Sequence, residues 1–445
     1  MNRIKKISPW QFTTFRIVFG LYLTVHFAQL LPYANELFGS AGVLADAGVN
    51  PLYGLFPNPL VYITAPGFPF WFVALLLVSS LAFTAGAFRR SLSILLWFGW
   101  ACLFNRNNLI ANPGIPYVGL LLVLCALVPP GEPFSIRKRI VATTWCMPAM
   151  ICWCAWTLLA VGYCYSGVWK LFSPSWIDGS ALMHLITNPL ARPEPLGDFL
   201  SQCPSLLKIL TWTSLAGEIL FLPLCVTRRG RMVAWLWMLL MHLGIVLVVN
   251  FADLTFGMLM VHLFTFDPKW FPARGVNAVV LFDGDCAMCN RWVRFITEEE
   301  QRPQFRFASL QASAARSLLR THGFSANYRD SIVVIEGRGA HVQVFTKLSA
   351  VLRILKGLGG FWSIVAWLRI VPRSVRDWFY DQVAKNRHRL FRTSATCAIL
   401  SIPPGRFLDG VSDDSHASEL SERGSIVLNT SLNEILNVSV PENRR

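Results

Sequence analysis

The sequence lacks a regular cysteine spacing outside one short motif, although it contains 11 cysteines. Eight of these cysteines lie before residue 230 in apolar stretches, where cysteine usually acts as a small hydrophobic residue. Their irregular positions exclude the disulfide framework of a small secreted protein, and the odd total with a single CxxC fits a redox pair better. The eight are Cys102, Cys125, Cys146, Cys152, Cys154, Cys164, Cys203 and Cys225.

Acidic residues are also scarce, and a small-residue cleavage site after the first apolar run is missing. Asp and Glu total 25 against 40 Lys and Arg, a formal net charge of +15. The chain is 54% hydrophobic with a mean hydropathy of +0.46, so this excess fits the basic cytoplasmic loops of a membrane protein better than a nucleic-acid-binding surface. We therefore expect a retained first span, a lipid bilayer as partner and no nucleic acid.

Eight apolar segments before residue 270 are candidate membrane spans, each near the roughly 20 residues that a bilayer requires. Basic clusters lie in alternate loops, so the positive-inside rule predicts a multi-pass protein of the plasma (inner) membrane. Its N-terminus and its C-terminal domain would both be cytoplasmic. The segments are about 12–32, 68–88, 91–105, 115–130, 145–166, 206–226, 232–250 and 252–268.

Four ionisable residues inside these segments are candidate functional groups. A charge at the centre of a membrane helix costs about 2.5–3.5 kcal/mol on insertion scales, so such residues usually face a bundle interior or a cavity. The alternative is a satisfied structural pair, for example Arg16 with Glu218. The four residues are Arg16, Glu218, His242 and His262.

The stretch from Tyr163 to Leu182 carries a tyrosine, a Ser-Gly pair, Lys170-Leu and then Trp176-x-x-Gly179. This pattern resembles the motif shared by horizontally transferred transmembrane domains and vitamin K-dependent γ-glutamyl carboxylases, over roughly residues 8–272. The resemblance implies that Lys170 is a base acting on a quinone-like or lipidic substrate. Partial desolvation at the end of an apolar span favours the neutral amine that a base requires. The alternative is a lysine that snorkels to the interface.

Residues 277–300 organise the C-terminal part of the chain. Ala278 to Phe282 form a short apolar run closed by Asp283-Gly-Asp285, which predicts a buried strand followed by a turn. Cys286 and Cys289 come next, at the start of a segment with helical periodicity. We expect an exposed dithiol in the first helical turn, where free N–H groups and the positive end of the helix dipole stabilise a thiolate.

The segments after this helix alternate between strand and helix patterns. Strands are predicted at 305–309, 331–336 and 341–345, and helices at 311–321, 348–358 and 372–389. The resulting order, βαβα and then ββα, is the thioredoxin-like arrangement. The predicted fold class is therefore a multi-span α-helical membrane bundle followed by an α/β thioredoxin-like domain, with domains at 1–272 and 273–400 and a polar, disordered tail at 401–445.

Several motifs in this part agree in order and spacing with the DCC family of thiol-disulfide oxidoreductases, which the segment resembles over nearly all of 277–397. They are Asp283-Gly-Asp285-Cys286-x-x-Cys289, Ala350 to Leu355 with Leu358-Gly-Gly, and Pro372-Arg373 with Arg376-Asp377, Tyr380 and Ala384 to Arg387. The resemblance implies that Cys286 attacks, Cys289 resolves and Asp285 tunes proton transfer. Arg329 to Ser331 stand where a thioredoxin usually has a cis-proline.

Three functions remain open at this point. The first is a membrane-anchored thiol-disulfide oxidoreductase that needs no cofactor and exchanges electrons with a thiol-containing protein or small molecule. The second is a carboxylase- or epoxidase-like membrane enzyme with Lys170 as base and the dithiol as its reductant. The third is a non-catalytic anchor or transporter with a redox-sensing domain. Half of a zinc site is the alternative for the CxxC, but no second paired spacing accompanies it, and Cys397 is a lone cysteine.

Overall fold

A computed structural model describes residues 7–50, 53–135, 145, 147–189, 191–192, 195–250, 252–273, 275–325, 327–337, 341–390 and 405–408. The chain divides into two compact units, Met1–Asp267 and Pro268–Arg445, which are described separately below. Cys397 and most of the segment after residue 400 lie outside the described residues.

The N-terminal unit is largely helical, and each of the eight predicted apolar segments contains a helix. The helices are α1 (Pro9–Leu30), α2 (Phe68–Thr84), α3 (Arg89–Arg106), α4 (Ile115–Leu127), α5 (Ala149–Lys170), α6 (Pro204–Cys225), α7 (Arg228–Val248) and α8 (Ala252–Thr265). Shorter helices lie at Ala34–Phe38, Pro59–Tyr62, Pro174–Asp178, Ala181–Ile186 and Pro195–Ser201.

Within the described residues, four helical stretches are long and apolar enough to cross a membrane, judged by length and composition. They are Pro9–Phe38, which contains α1, and the helices α5, α6 and α7. The helices α2 and α4 are apolar but shorter, and α3 carries three arginines at its ends, Arg89, Arg90 and Arg106. The helix positions were therefore predicted well, whereas only half of the predicted segments have the length and composition of a span.

The C-terminal unit contains a four-stranded mixed sheet in the order β2-β1-β3-β4. The strands are β1 (Ala278–Phe282), β2 (Phe305–Ser309), β3 (Val333–Glu336) and β4 (Gln343–Thr346). β1 pairs in parallel with β2, and the β1–β3 and β3–β4 pairs are antiparallel. In this register Val280 lies opposite both Phe307 and Val334.

Helices follow or precede these strands as the sequence pattern predicted. They are α9 (Ala287–Glu299), α10 (Ser313–Thr321), α11 (Lys347–Leu358), α12 (Gly360–Val365) and α13 (Arg373–Leu390), with a 3-10 turn at Ala366–Ile370. All five residues of β1 are buried, as expected for a continuous apolar run with a strand on each side. The predicted strands and helices are found in the predicted order, with boundaries shifted by one or two residues, whereas the short helix α12 was not predicted.

Gly405 to Leu408 add a short segment to the outer edge of β2. The Phe307 N–H donates to the Arg406 carbonyl (2.9 Å), and the Leu408 N–H donates to the Phe307 carbonyl (2.9 Å). The Arg406 guanidinium forms a salt bridge with the buried Glu300 carboxylate. These four residues belong to the segment for which the sequence predicted a disordered tail.

Candidate functional site

The two motif cysteines lie at the junction of β1 and α9. Cys286 is the N-cap residue of α9, with extended backbone angles (φ −95°, ψ 116°). The Cys286 carbonyl accepts the first hydrogen bond of the helix from the Asn290 N–H (3.0 Å). The N–H groups of the first helical turn have no carbonyl partner within the helix, so a negative charge on a sulfur at this position is stabilised.

The two thiols differ in exposure, a difference that the sequence analysis did not predict. Cys286 is only 3% exposed, whereas Cys289 is half-buried. Cys286 lies in the turn that leaves the buried strand β1, and Cys289 lies within the first turn of the amphipathic helix. The expectation of an exposed sulfur at the N-cap is therefore wrong, and Cys289 is the more accessible of the two.

A hydrogen-bond network centred on Gln311 holds the turn that leads into the dithiol. The Gln311 side-chain amide donates to Asp283 Oδ1 (2.8 Å) and to Asp285 Oδ2 (3.1 Å). Gln311 Oε1 accepts from the Gly284 N–H (3.1 Å) and from the Ser309 hydroxyl. Asp285, the predicted proton-transfer residue, is thus fixed by a side chain that sequence reasoning missed.

Backbone contacts make the same turn compact. The Asp285 N–H donates to Asp283 Oδ1 (3.2 Å), and the Cys286 N–H donates to the Asp283 carbonyl (3.3 Å). A Cβ atom at Gly284 would lie 2.8 Å from Ser309 Oγ, so only glycine fits without displacing the network. Parallel strands end at the same edge of a sheet, and this pairing brings the residues after β2 next to those after β1.

Lys170 and Glu218 form a salt bridge in the N-terminal unit, with 2.6 Å between Lys170 Nζ and Glu218 Oε1. Lys170 Nζ also lies 4.2 Å from the centre of the Trp176 ring. The Lys170 side chain is therefore held by an ion pair and by a cation–π contact. The Lys170 side chain is 24% exposed and ends on a carboxylate that is 5% exposed, so it does not simply extend to solvent.

The close approach of α5 and α6 makes this pair possible. A Cβ atom at Gly167 would lie 2.9 Å from Ile219 Cγ1 and 3.1 Å from Glu218 Cβ. The Cys164 thiol contacts the Glu218 carbonyl at 3.4 Å. The small residues between Tyr163 and Lys170 therefore have a packing role, because they let two helices meet at short distance.

A cavity of about 1120 Å³ lies beside this pair and is lined mainly by apolar side chains from α5, α6 and α7. Its polar lining includes Tyr163, Lys170, Glu218 and His242. The Glu218 Oε2 and His242 Nδ1 atoms are buried and have no hydrogen-bond partner among the described residues. A mostly apolar cavity with a few converging polar groups is the usual form of a small-molecule site.

Two histidines of the predicted spans, His242 and His262, lie close together. The Tyr163 hydroxyl is 2.8 Å from His242 Nε2, and the ring centres of His242 and His262 are 5.7 Å apart. His262 Nδ1 lies 2.9 Å from the Met258 carbonyl. His242 therefore lines the cavity, and His262 contacts His242. Tyr163 also lines the cavity and lies seven residues before Lys170 on the same helix.

Arg16 lies in a different polar cluster, so the suggested Arg16–Glu218 pair is wrong. Arg16 Nη2 donates to the Phe134 carbonyl (2.8 Å), and Arg16 Nη1 is 3.6 Å from Glu132 Oε1. Glu132 also accepts from Arg89 Nε (2.6 Å). Glu132 lies outside the predicted span 115–130, so the sequence pattern gave no reason to assign it to this buried cluster.

Among the residues that the structure describes, no group of three or more His, Cys, Asp and Glu side chains is placed to hold a metal ion.

Comparison with known proteins covers the C-terminal unit. Residues 280–393 match the sequence model of a family described as DCC1-like thiol-disulfide oxidoreductase. The chain is 37% identical over 125 residues to "Uncharacterized protein YuxK" of Bacillus subtilis (strain 168), which covers 28% of this chain and 88% of that protein. It is 33% identical over 122 residues to "DCC family protein At1g52590, chloroplastic" of Arabidopsis thaliana, covering 27% of this chain and 69% of that protein. No solved structure matches the chain.

Proposed function

The chain belongs, through its C-terminal unit, to the DCC1-like thiol-disulfide oxidoreductase family, and from this premise we propose that it is a membrane-anchored enzyme that exchanges electrons through Cys286 and Cys289. The observation that carries the proposal is the position of Cys286 at the N-cap of α9, within a turn fixed by hydrogen bonds. The redox partner is a disulfide or dithiol on a protein or a small molecule, and the dithiol itself needs no cofactor.

The exchange runs in two steps. The Cys286 thiolate attacks one sulfur of a partner disulfide, a mixed disulfide forms, and the other partner sulfur leaves as a thiolate. The Cys289 thiolate then attacks the Cys286 sulfur and releases the partner's second thiolate. Cys286 and Cys289 are oxidised to a disulfide, the partner is reduced by two electrons, and the two protons of the dithiol pass to the partner's thiols. The reverse sequence oxidises a partner dithiol.

Asp285 is the proposed proton carrier for these steps. Its carboxylate is exposed and is held by the Gln311 amide, one residue before Cys286. A carboxylate at this position can accept a proton from a thiol and return it to a leaving thiolate. The sheet order β2-β1-β3-β4, with only the β1–β2 pair parallel, supports a thioredoxin-like fold for the unit that carries these residues.

The test uses the full-length protein in detergent with glutathione disulfide as electron acceptor. We expect the wild type to form an intramolecular Cys286–Cys289 disulfide, detected by mass spectrometry after alkylation of the remaining thiols. Cys289→Ser should instead accumulate a mixed disulfide between Cys286 and glutathione, because the resolving thiol is missing. Cys203→Ser, which removes a half-buried cysteine outside the motif, is the matched control and should behave as the wild type.

Two results would contradict the proposed chemistry. One is that the wild type forms no disulfide between the two cysteines. The other is a glutathione adduct that accumulates on Cys289 in Cys286→Ser but not on Cys286 in Cys289→Ser. The second result would leave thiol-disulfide exchange in place but reverse the roles, in keeping with the greater exposure of Cys289.

We propose further that all eight long helices of the N-terminal unit lie in the plasma (inner) membrane, with the N-terminus and the redox domain in the cytoplasm. The support is the alternation of basic loops along the sequence. Arg89 and Arg231, which contribute to that alternation, are both buried in the structure. Their neighbours Arg90 and Arg228 are exposed and are the stronger support for cytoplasmic loops. Protease or thiol-reagent access from each side of sealed vesicles tests the orientation.

The cavity favours a second proposed function, in which the N-terminal unit acts on a quinone-like or lipidic molecule. The apolar lining suits a hydrophobic body, and the unpartnered Glu218 Oε2 suits a hydroxyl donor on its head. Lys170 forms an ion pair with Glu218, so it can act as a base only after its own proton has been lost, for example to Glu218. The dithiol of the C-terminal unit would then supply electrons to this substrate.

Photolabelling tests the cavity. A hydrophobic hydroquinone with a photoreactive group should label peptides of α5 and α6 in the full-length protein. Lys170→Met and Glu218→Gln should each reduce that labelling, whereas Lys208→Met should not. Lys208 is the matched control because it also contacts a tryptophan ring, Trp212 at 5.0 Å, but does not line the cavity. Equal labelling in all variants would contradict a site at Lys170.

A further inference from the structure

The last described helix, α13, contacts its own domain through polar groups. The Ile332 N–H donates to the Tyr380 hydroxyl (3.2 Å), and Lys347 Nζ donates to Asp381 Oδ2 (2.8 Å). Arg376 Nη1 donates to the Ser349 hydroxyl (3.2 Å). This face of α13 is therefore attached to the domain by two hydrogen bonds and an ion pair.

The opposite face of α13 turns large apolar side chains to solvent. Val375, Trp378, Phe379 and Val383 follow the helical period, and Trp378 and Phe379 are each 57% exposed. A surface helix normally buries its apolar stripe and exposes its polar one. The arrangement in α13 is the inverse, which marks the apolar stripe as a contact surface for something outside the domain.

The turn before α13 carries further exposed apolar side chains. Trp367, Leu368 and Ile370 are all more than half exposed, and Ile370 is 72% exposed. Arg376 Nε donates to the Val371 carbonyl (2.9 Å) and so ties the first turn of α13 to the end of the 3-10 turn. We call the combined surface the aromatic patch, made of Trp367, Leu368, Ile370, Val375, Trp378, Phe379 and Val383.

Basic residues accompany the aromatic patch. Arg369, Arg373 and Lys385 are exposed, and the Arg369 guanidinium lies 5.8 Å from the centre of the Trp367 ring. The two acidic residues of the same stretch have basic partners, because Asp377 pairs with Arg373 (3.4 Å) and Asp381 pairs with Lys347. Exposed tryptophan and phenylalanine beside arginine and lysine are typical of a helix that lies in the headgroup region of a bilayer.

We propose that the aromatic patch docks the C-terminal unit on the surface of an anionic lipid bilayer, with Trp367, Trp378 and Phe379 inserted among the headgroups. This inference rests on the membrane anchoring of the proposed function but not on its redox chemistry. The N-terminal unit ends on an apolar helix at Thr265, and the first strand begins at Ala278, so at most about 45 Å of extended chain separates them. A membrane in contact with one unit is therefore present at high effective concentration for the other.

Photocrosslinking in the full-length protein tests this docking. The amino acid p-benzoylphenylalanine replaces Phe379 in one variant and Arg320, an exposed residue of α10 outside the patch, in another. Each variant is reconstituted in vesicles that contain phosphatidylglycerol. We expect lipid adducts, detected by mass spectrometry, at position 379 and not at position 320. Replacement of Leu220, an exposed residue of α6, is the positive control for reconstitution.

The charge dependence provides a second readout. Arg369→Gln and Arg373→Gln should each lower the lipid adduct at position 379 about fivefold in phosphatidylglycerol vesicles, as expected for loss of one basic contact with an anionic surface. Neither should change it in phosphatidylcholine vesicles. Lipid adducts equal at positions 379 and 320, or crosslinks from position 379 to polypeptide instead of lipid, would overturn the proposal. Because dithiol oxidation is measured separately, neither outcome bears on the redox chemistry.

Discussion

Replacement of Gln311 by glutamate tests whether its side-chain amide holds the turn before the dithiol. In the wild type this amide donates to the carboxylates of Asp283, which is buried, and Asp285, which is exposed. Gln311→Leu removes both of these hydrogen bonds, and also the two that Gln311 Oε1 accepts from the Gly284 N–H and the Ser309 hydroxyl. We count only the bond to the buried carboxylate, at about 1.5–3 kcal/mol for a bond to a charged group. The exposed bond adds little because of solvent screening.

Gln311→Glu should destabilise the turn more than Gln311→Leu, because it places a third carboxylate where the amide was. Two carboxylates about 3 Å apart repel each other by at most about 5 kcal/mol at an effective dielectric constant of 20. Even a quarter of that ceiling would make local opening about tenfold more frequent than it is in Gln311→Leu. Hydrogen exchange of the peptide covering residues 283–290, measured by mass spectrometry in detergent, reports this opening directly.

The excess opening of the turn in Gln311→Glu should depend on pH. The neighbouring carboxylates raise the pKa of the introduced glutamate in the folded turn above its value in the opened turn. Stability is therefore retained at low pH and lost as the pH rises through the folded pKa, so the excess opening should shrink from pH 8 to pH 5. Gln343→Glu, at an exposed position of β4, is the matched control and should have little effect. The reasoning fails if Gln311→Glu opens no more than Gln311→Leu at pH 8, or if its excess opening persists at pH 5.

Two further predictions concern packing and burial. Gly167→Ala should lower the thermal stability of the protein in detergent by about 1–3 kcal/mol and weaken photolabelling of the cavity, because the new methyl group would lie 2.9 Å from Ile219 Cγ1. Gly244→Ala, whose added Cβ atom would meet no atom within 4 Å, should not lower the stability. Because Gly244 lines the cavity, this variant is the control for stability alone. Burial raises the pKa of Glu300, and the Arg406 charge acts against that rise. Arg406→Gln should therefore raise this pKa further and speed hydrogen exchange of β2. The free energy of unfolding should fall by up to about 3–5 kcal/mol at pH 7, and this loss should shrink towards pH 4.5, where Glu300 becomes protonated. A loss that does not depend on pH would contradict this account.

The features that the sequence predicted well depend on short stretches of chain. The strand β1, the turn after it and the start of α9 follow from five consecutive apolar residues, three turn residues and one helical period. The same holds for the helices α1 to α8 of the N-terminal unit, whose positions follow from apolar runs. Which of them have the length and composition of a membrane span was harder to predict, because α3 is long enough but carries arginines that the structure places at its ends.

The exposure of the two cysteines was not predictable from the motif. A CxxC at a strand-to-helix turn indicates which residues come first in the helix, but the burial of each sulfur depends on what packs over the turn. In this chain Cys286 belongs to the buried core and Cys289 is partly accessible. The proposed attack by Cys286 therefore requires its sulfur to become accessible to the partner disulfide. The hydrogen bonds of Gln311 hold the turn before Cys286, so we expect them to affect the rate at which Cys286 reacts.

The polar contacts at both candidate sites join residues that are far apart in the sequence. Lys170 and Glu218 are 48 residues apart, and Gln311 and Asp283 are 28 residues apart. Helical periodicity shows that Tyr163 and Lys170 share a face of α5, but it does not show which neighbouring helix that face meets. Glu218 contacts Lys170 rather than Arg16 because Gly167 lets α6 approach α5 at this level. An ionisable residue in an apolar segment can therefore be identified as a candidate from the sequence, because burying its charge costs free energy. Its partner cannot be identified in this way, because the partner depends on how small residues let two helices pack. The sequence alone therefore does not distinguish a lysine that acts as a base from one that only forms a salt bridge.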